Sequence, residues 1–257
     1  MANDTSKTDI AMTYCPFLAV GAERPSRWLV TCDHATNLVP EFVNGGSLGL
    51  GRDDMERHIA YDPGASGVAA EIARLLDAPC ICSNFSRLVI DPNRSPDDPT
   101  LIMKISDRTI IPGNRHVDAS EKEMRLDLCY WPYHRRLAEM ASRQDNTIIV
   151  SIHSFTKQYR GRRRRPWDIG ILYSADNRLA LPLLERLRLE GDICVGENEP
   201  YAGGFHGDAI ERHAIACKRA GVLIEIRNDL IASAGRQIDW GRRLAPMLVQ
   251  SAEDSGI

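Results

Sequence analysis

The chain has 257 residues, 43% of them hydrophobic and 26% charged, with a formal net charge of −3. That is ordinary globular composition, long enough for one large domain with a sizeable core. The near-neutral balance excludes a global field toward nucleic acid or membrane, and no apolar run approaches the ~20 residues of a membrane helix.

In chain order, apolar runs of strand length alternate with longer helical patterns. The strands are expected at 27–32, 79–84, 147–152, 168–174, 193–197 and 221–226. They are short, often β-branched and apolar throughout, which suits a largely parallel sheet covered on both faces. Between them, 64–77 places Val68, Ile72, Leu75 and Leu76 at helical spacing. The segment 118–143 reads as one long helix, bent near Pro132. Two more helices are expected at 177–190 and 237–253. The fold class is therefore α/β, a three-layer α/β/α domain with a mixed, mainly parallel sheet. No linker divides the chain, so 1–257 reads as a single domain, with 1–20 and 251–257 as loose ends. The stretch 92–118 has few element signals and reads as a long excursion near the site.

Ligands in such folds bind outside the carboxyl ends of the strands. The first strand runs into Asp33 and His34, and the strand 147–152 runs into His153. Glu225 lies inside the apolar run "VLIEIR", where a carboxylate is costly unless paired or metal-bound. The segment "ERHIAYDPGA" adds His58 and Asp62, and "SRLVIDPNR" adds Arg87, Asp91 and Arg94. Plainer roles exist: Asp62 before Pro63 and Gly64 suits a helix N-cap, and Asp91-Pro92 suits a turn. Two histidines and several carboxylates converging on one sheet edge fit a catalytic zinc, with a further carboxylate as general base.

The segments "CDHATNLVP", "ERHIAYDPGASGVAAEIARLL", "SNFSRLVIDPNRSP", "SIHSFT", "DIGILYS", "YAGGFHGDAIERHA" and "LIEIRNDLI" occur in that order. Together they resemble the N-formylglutamate amidohydrolase family over most of the chain. The first motif departs from the "PHSG" type of the best-described members. The resemblance implies a fold like that of zinc-dependent exopeptidases. It also implies hydrolysis of the formyl amide of N-formyl-L-glutamate, at the end of one histidine-degradation route, or of a similar N-acyl amino acid. Combined with the residue reading, it implies that His34, His153 and Asp62 bind Zn2+ (or Co2+ or another divalent metal), with His58 as the alternative third ligand. Glu225 is then the general base. Arg87, Arg94 and Arg227 are the expected carboxylate clamps, with Asp91 orienting one of them. His206, in the glycine-rich "YAGGFHG", is an expected substrate contact. A zinc deacylase or carboxypeptidase-like amidase on another N-acyl or peptide substrate is the alternative, and a non-catalytic anion-binding protein is the rival from another class.

The run "YRGRRRRPWD" packs Arg160 and Arg162–Arg165 into ten residues. One short basic loop is a weak footprint for nucleic acid, so it reads as a solvated loop or as a rim that attracts an anionic substrate or a partner subunit. Seven cysteines, scattered apart from Cys80-x-Cys82, match neither a disulfide framework nor a Cys-rich zinc module. The opening residues lack the layout of a secretory signal. Reduced thiols and a cytoplasmic location are expected. A small anionic N-acyl amino acid is the expected partner, with no membrane; a homodimer is compatible with the sequence.

Overall fold

The computed structural model describes residues 14–204 and 207–257. Seven strands form one sheet: β1 (Phe17–Val20), β2 (Trp28–Cys32), β3 (Cys80–Ser83), β6 (Ile148–Phe155), β7 (Ile169–Leu172), β8 (Val195–Glu197) and β9 (Gly221–Arg227). Their spatial order is β1-β3-β2-β6-β9-β7-β8. Strands β3, β2, β6 and β9 are mutually parallel, β7 runs antiparallel to β9, and β1 runs antiparallel to β3. A small hairpin, β4 (Ile105–Ser106) with β5 (Thr109–Ile110), stands apart.

The helices are α1 (Arg52–Met55), α2 (Ala65–Leu75), α3 (Ala119–Arg125), α4 (Trp131–Ala141), α5 (Ala180–Leu189), α6 (Ala209–His213) and α7 (Ala234–Asp254). Apolar faces of α2, α5 and α7 pack on one side of the sheet through Val68, Ile72, Leu183, Leu187, Leu244 and Leu248. The other side is covered by α3, α4, α6 and the long excursion, through Leu126, Tyr133, Leu137, Leu88 and Ile90. The result is a three-layer α/β/α arrangement with a mixed, mainly parallel sheet. Strands β2, β6 and β9 are buried along their whole length because helices cover both faces.

All six strands read from the sequence are present, with shifted ends. The central one runs on to Phe155, so His153 lies inside β6 and not beyond it. Strand β1 falls within the stretch expected to be loose. It pairs residue by residue with β3, and its alternating burial exposes Leu18 and Val20. Four half-buried residues at a sheet edge carry too little pattern to stand out. The other expected loose end is also placed. Helix α7 continues to Asp254, and Ser251 and Ala252 are buried.

The expected bent helix is continuous in three segments. A π-helical turn, Leu126–Tyr130, joins α3 to α4, and Pro132 sits in the first turn of α4. Proline lacks the amide hydrogen an uninterrupted ladder needs, and a wider turn just before it absorbs the change of register. Among the described residues, no helix is long and apolar enough to cross a membrane. All seven cysteines are free thiols.

Candidate metal centre and active site

Strands β2, β6 and β9 lie side by side and parallel, so their carboxyl ends share one edge. Beyond β2 the chain continues into Asp33 and His34, both buried. His153 on β6 and Glu225 on β9 are register partners. Asp62 arrives from the turn before α2. Its amide donates to the His34 carbonyl at 2.9 Å, which ties the carboxylate beside the imidazole. The turn depends on Gly64, whose φ is +83° and whose absent Cβ would lie 2.3 Å from the Ile231 carbonyl oxygen. Gly64 occupies the N-cap position of α2 and no side chain caps it, so Asp62 is released from that plainer role.

The two imidazoles meet on one oxygen. Asp62 Oδ2 lies 3.3 Å from His34 Nδ1 and 2.9 Å from His153 Nδ1. The outer nitrogens face other carboxylates: His34 Nε2 is 2.7 Å from Asp91 Oδ1, and His153 Nε2 is 3.1 Å from Asp33 Oδ2. Asp33 is itself held, accepting from Tyr133 Oη at 2.6 Å and from Ser151 Oγ at 3.1 Å. An imidazole that donates its Nε2–H to a carboxylate turns the Nδ1 lone pair inward. Two such lone pairs and a carboxylate oxygen at these distances repel unless a cation, proton or metal, sits among them. The donor atoms of His34, Asp62 and His153 lie within 4.8 Å of one another, and all three residues are buried. Two nitrogens and an oxygen, each oriented by an outer carboxylate, are a donor set suited to a divalent metal with one open position.

Comparison with known proteins gives the family of the chain. The sequence profile of the N-formylglutamate amidohydrolase family matches residues 26–232. The chain belongs to the N-formylglutamate amidohydrolase family. A solved structure of the gene product Atu2144 from Agrobacterium tumefaciens is similar, with 33% identity and a TM-score of 0.89 over 96% of this chain and 98% of that one. The N-formylglutamate amidohydrolase from Ralstonia eutropha JMP134 superimposes with a TM-score of 0.68 at 22% identity, over 95% of this chain and all of that one (100%). No curated protein matches the sequence. The family is one of amidohydrolases, so a buried His/Asp cluster at the strand ends falls where hydrolytic chemistry is expected.

A cavity of about 200 Å³ opens on this cluster, lined by His34, His58, Arg87, Arg94, His153 and Glu225 among others. Its charged groups act on one another. Burial alone would push the His153 imidazolium down, but hydrogen bonds to Asp33 and Asp62 outweigh it and raise it well above the ordinary value. Burial likewise opposes ionisation of Asp62 and Asp33. The histidines win in both, holding Asp62 well below the usual carboxylate range and Asp33 at about 2, with Tyr133 also donating to Asp33. Glu225 behaves oppositely. Burial pushes its carboxyl up to about 7 against the pull of His153, with Asp62 adding to the rise. Its Oε2 has no hydrogen-bond partner among the described residues.

The structure brings together most of the residues singled out from the sequence. Arg87 bridges two site carboxylates, with Nη2 at 2.9 Å from Asp91 Oδ2 and Nη1 at 3.4 Å from Asp62 Oδ1. Asp91 therefore orients Arg87 and also buttresses His34. Arg94 lines the cavity. His58 lines it too, with Nδ1 3.2 Å from Asp62 Oδ1, but it stands outside the three-donor set. Arg227 pairs with Asp168 and Asp229, each at 2.7 Å, and is not among the residues that line the cavity. His206 lies outside the described residues. The contacts of Asp33, Ser151 and Tyr133 are not legible in the sequence. Asp33 adjoins His34, but Ser151 and Tyr133 sit in strand and helix with no local mark of function.

Proposed function

We propose that this chain is a metal-dependent amidohydrolase that cleaves the amide of an N-acyl amino acid, releasing the acid and the free amino acid. N-Formyl-L-glutamate is the first candidate substrate, in keeping with the family and with the R. eutropha relative. The carrying observation is the pair of inward nitrogens, His34 Nδ1 and His153 Nδ1, meeting on Asp62 with buried Glu225 one strand away.

His34, Asp62 and His153 would hold a divalent ion, zinc by the chemistry of the donors, with cobalt a close substitute. When bound, such an ion supplies Lewis acidity toward the scissile carbonyl. Glu225 takes a proton from the attacking water as the water oxygen bonds to the acyl carbon. It returns that proton to the nitrogen as the C–N bond breaks. A carboxyl poised near neutrality serves both directions of transfer. Asp33 and Asp91 keep the imidazoles in one tautomer and orientation. Arg87 and Arg94 place positive charge along the wall that an acidic substrate meets.

A second reading concerns the side chain of the substrate. Met103, Leu172, Ile210 and Leu223 also line the cavity, which favours an N-acyl amino acid with an apolar side chain. One screen separates the two. N-Formyl and N-acetyl derivatives of glutamate, leucine and phenylalanine are incubated with protein carrying zinc or cobalt, and released formate or acetate is measured. Turnover that depends on added metal is expected. No release from any derivative under any metal would rule the reading out.

A further inference from the structure

The arginine run ends in a side chain that the proposed reaction leaves unused. The Arg165 guanidinium carbon lies 4.4 Å from the Tyr159 ring centroid, 4.9 Å from Tyr201 and 5.7 Å from Phe155. Its Nη1 donates to the Thr156 carbonyl at 3.0 Å and to Tyr201 Oη at 3.2 Å. Phe155 closes β6 two residues beyond His153, so this cage is built on the strand that carries the metal-site histidine. Arg57, Arg87 and Arg227 each face a carboxylate. Arg165 faces none among the described residues, so its charge is uncompensated there.

A hydrogen count shows what the cage offers. The hydroxyls of Tyr159 and Tyr201 are 2.9 Å apart, and one bond between them uses one O–H. Arg165 brings only donors. One phenolic O–H of the pair is therefore left without an acceptor among the described residues, whichever way the bond runs. Both rings line the cavity that holds Glu225 and Arg87. Burial, helped by Tyr159 and Glu225, raises the Tyr201 phenol above its ordinary range, so it stays a neutral donor. A spare donor backed by an uncompensated guanidinium is a receptor for an anionic oxygen.

The geometry points to Tyr159, Tyr201 and Arg165 as the anchor for a carboxylate of the substrate. This rests on the reading of the site as an amidohydrolase of N-acyl amino acids. The arginines expected from sequence leave room for such an anchor. Arg227 is engaged by Asp168 and Asp229, and both terminal nitrogens of Arg87 touch site carboxylates. An acidic substrate therefore gains from a further set of donors.

The test uses the metal-loaded protein and the double variant Tyr159→Phe/Tyr201→Phe, which removes two oxygens and no ring. Kinetics with N-formyl-L-glutamate are paired with calorimetric titration of its product L-glutamate and of L-leucine. Loss of a charged hydrogen bond is expected to raise KM and the product Kd about tenfold, with kcat within about threefold of wild type. Arg165→Met is expected to act the same way, and Arg165→Lys to recover part of the affinity. A fall in kcat with KM and product affinity unchanged would overturn the anchor and assign the hydroxyls to the reacting carbonyl. Unchanged values in both assays would overturn it too. If wild type hydrolyses no N-acyl amino acid, the proposed reaction fails while the calorimetry still reads the anchor. Wild type that binds neither amino acid overturns the anchor itself.

Discussion

His153 on β6 and Glu225 on β9 are direct partners across two parallel strands, and both line the same cavity. Neighbours in register project from the same face of a sheet. The ladder thus sets the spacing between the His153 imidazole and the Glu225 carboxylate. Neither residue relies on a loop for its position.

In the proposed reaction Glu225 transfers the proton and His34, Asp62 and His153 hold the metal. Glu225→Gln should lower kcat by roughly two to four powers of ten while leaving the bound metal in place. Steady-state kinetics alongside elemental analysis checks both halves. Equal turnover in variant and wild type would remove Glu225 from the role.

Asp33 acts through His153. Asp33→Asn keeps the volume and an acceptor for Tyr133, but weakens the partner of His153 Nε2. Zinc affinity should fall by about 10–100-fold, the scale for losing an outer carboxylate. Competition with a fluorescent chelator measures it. An unchanged affinity would mean that Ser151 Oγ, also 3.1 Å from His153 Nε2, is enough to orient the ring.

Arg125 carries stability and stands away from the cavity. Its side chain is fully buried, and Nη1 donates to the Val89 carbonyl and to Asn114 Oδ1, each at 2.8 Å, while Nη2 pairs with Glu121. Asn114 in turn donates to the carbonyls of Leu88 and Met103, so one guanidinium organises the excursion beneath the site. Arg125→Met should cost about 3 kcal/mol, because it strands buried acceptors. Urea denaturation reads the loss.

His134 and His213 predict acid sensitivity. His134 Nε2–H donates to the Pro92 carbonyl at 3.0 Å, so its Nδ1 accepts from His213 Nε2 at 2.8 Å, and both rings are neutral. Burial pushes His134 well below its ordinary value and His213 down to about 4. The unfolded chain takes up these protons near pH 6.5 and the folded chain does not. Stability is therefore whole above about 6.5 and falls as pH drops toward 4. His213→Gln should flatten that slope in urea midpoints measured across this window. A slope as steep as wild type would place the sensitivity elsewhere.

The apolar, β-branched runs determined by themselves that strands would be buried on both faces. Alternation with amphipathic helices then made a layered α/β/α fold the economical way to cover them. Likewise, a carboxylate inside "VLIEIR" and a histidine inside "IIVSIHSF" were visible as chemistry, because apolar neighbours make unpaired polarity costly. The rest required distance. Edge strand β1 and the hairpin of β4 and β5 are too short to stand out from their surroundings. The meeting of Asp62 with His34 and His153, the buttressing of His153 by Asp33, and the pairing of Arg227 with Asp168 are contacts between distant segments. So is the cage of Arg165 over Tyr159 and Tyr201. Sequence spacing records which groups exist; only packing of the sheet, the turn at Gly64 and the loops above them decides which nitrogen meets which oxygen.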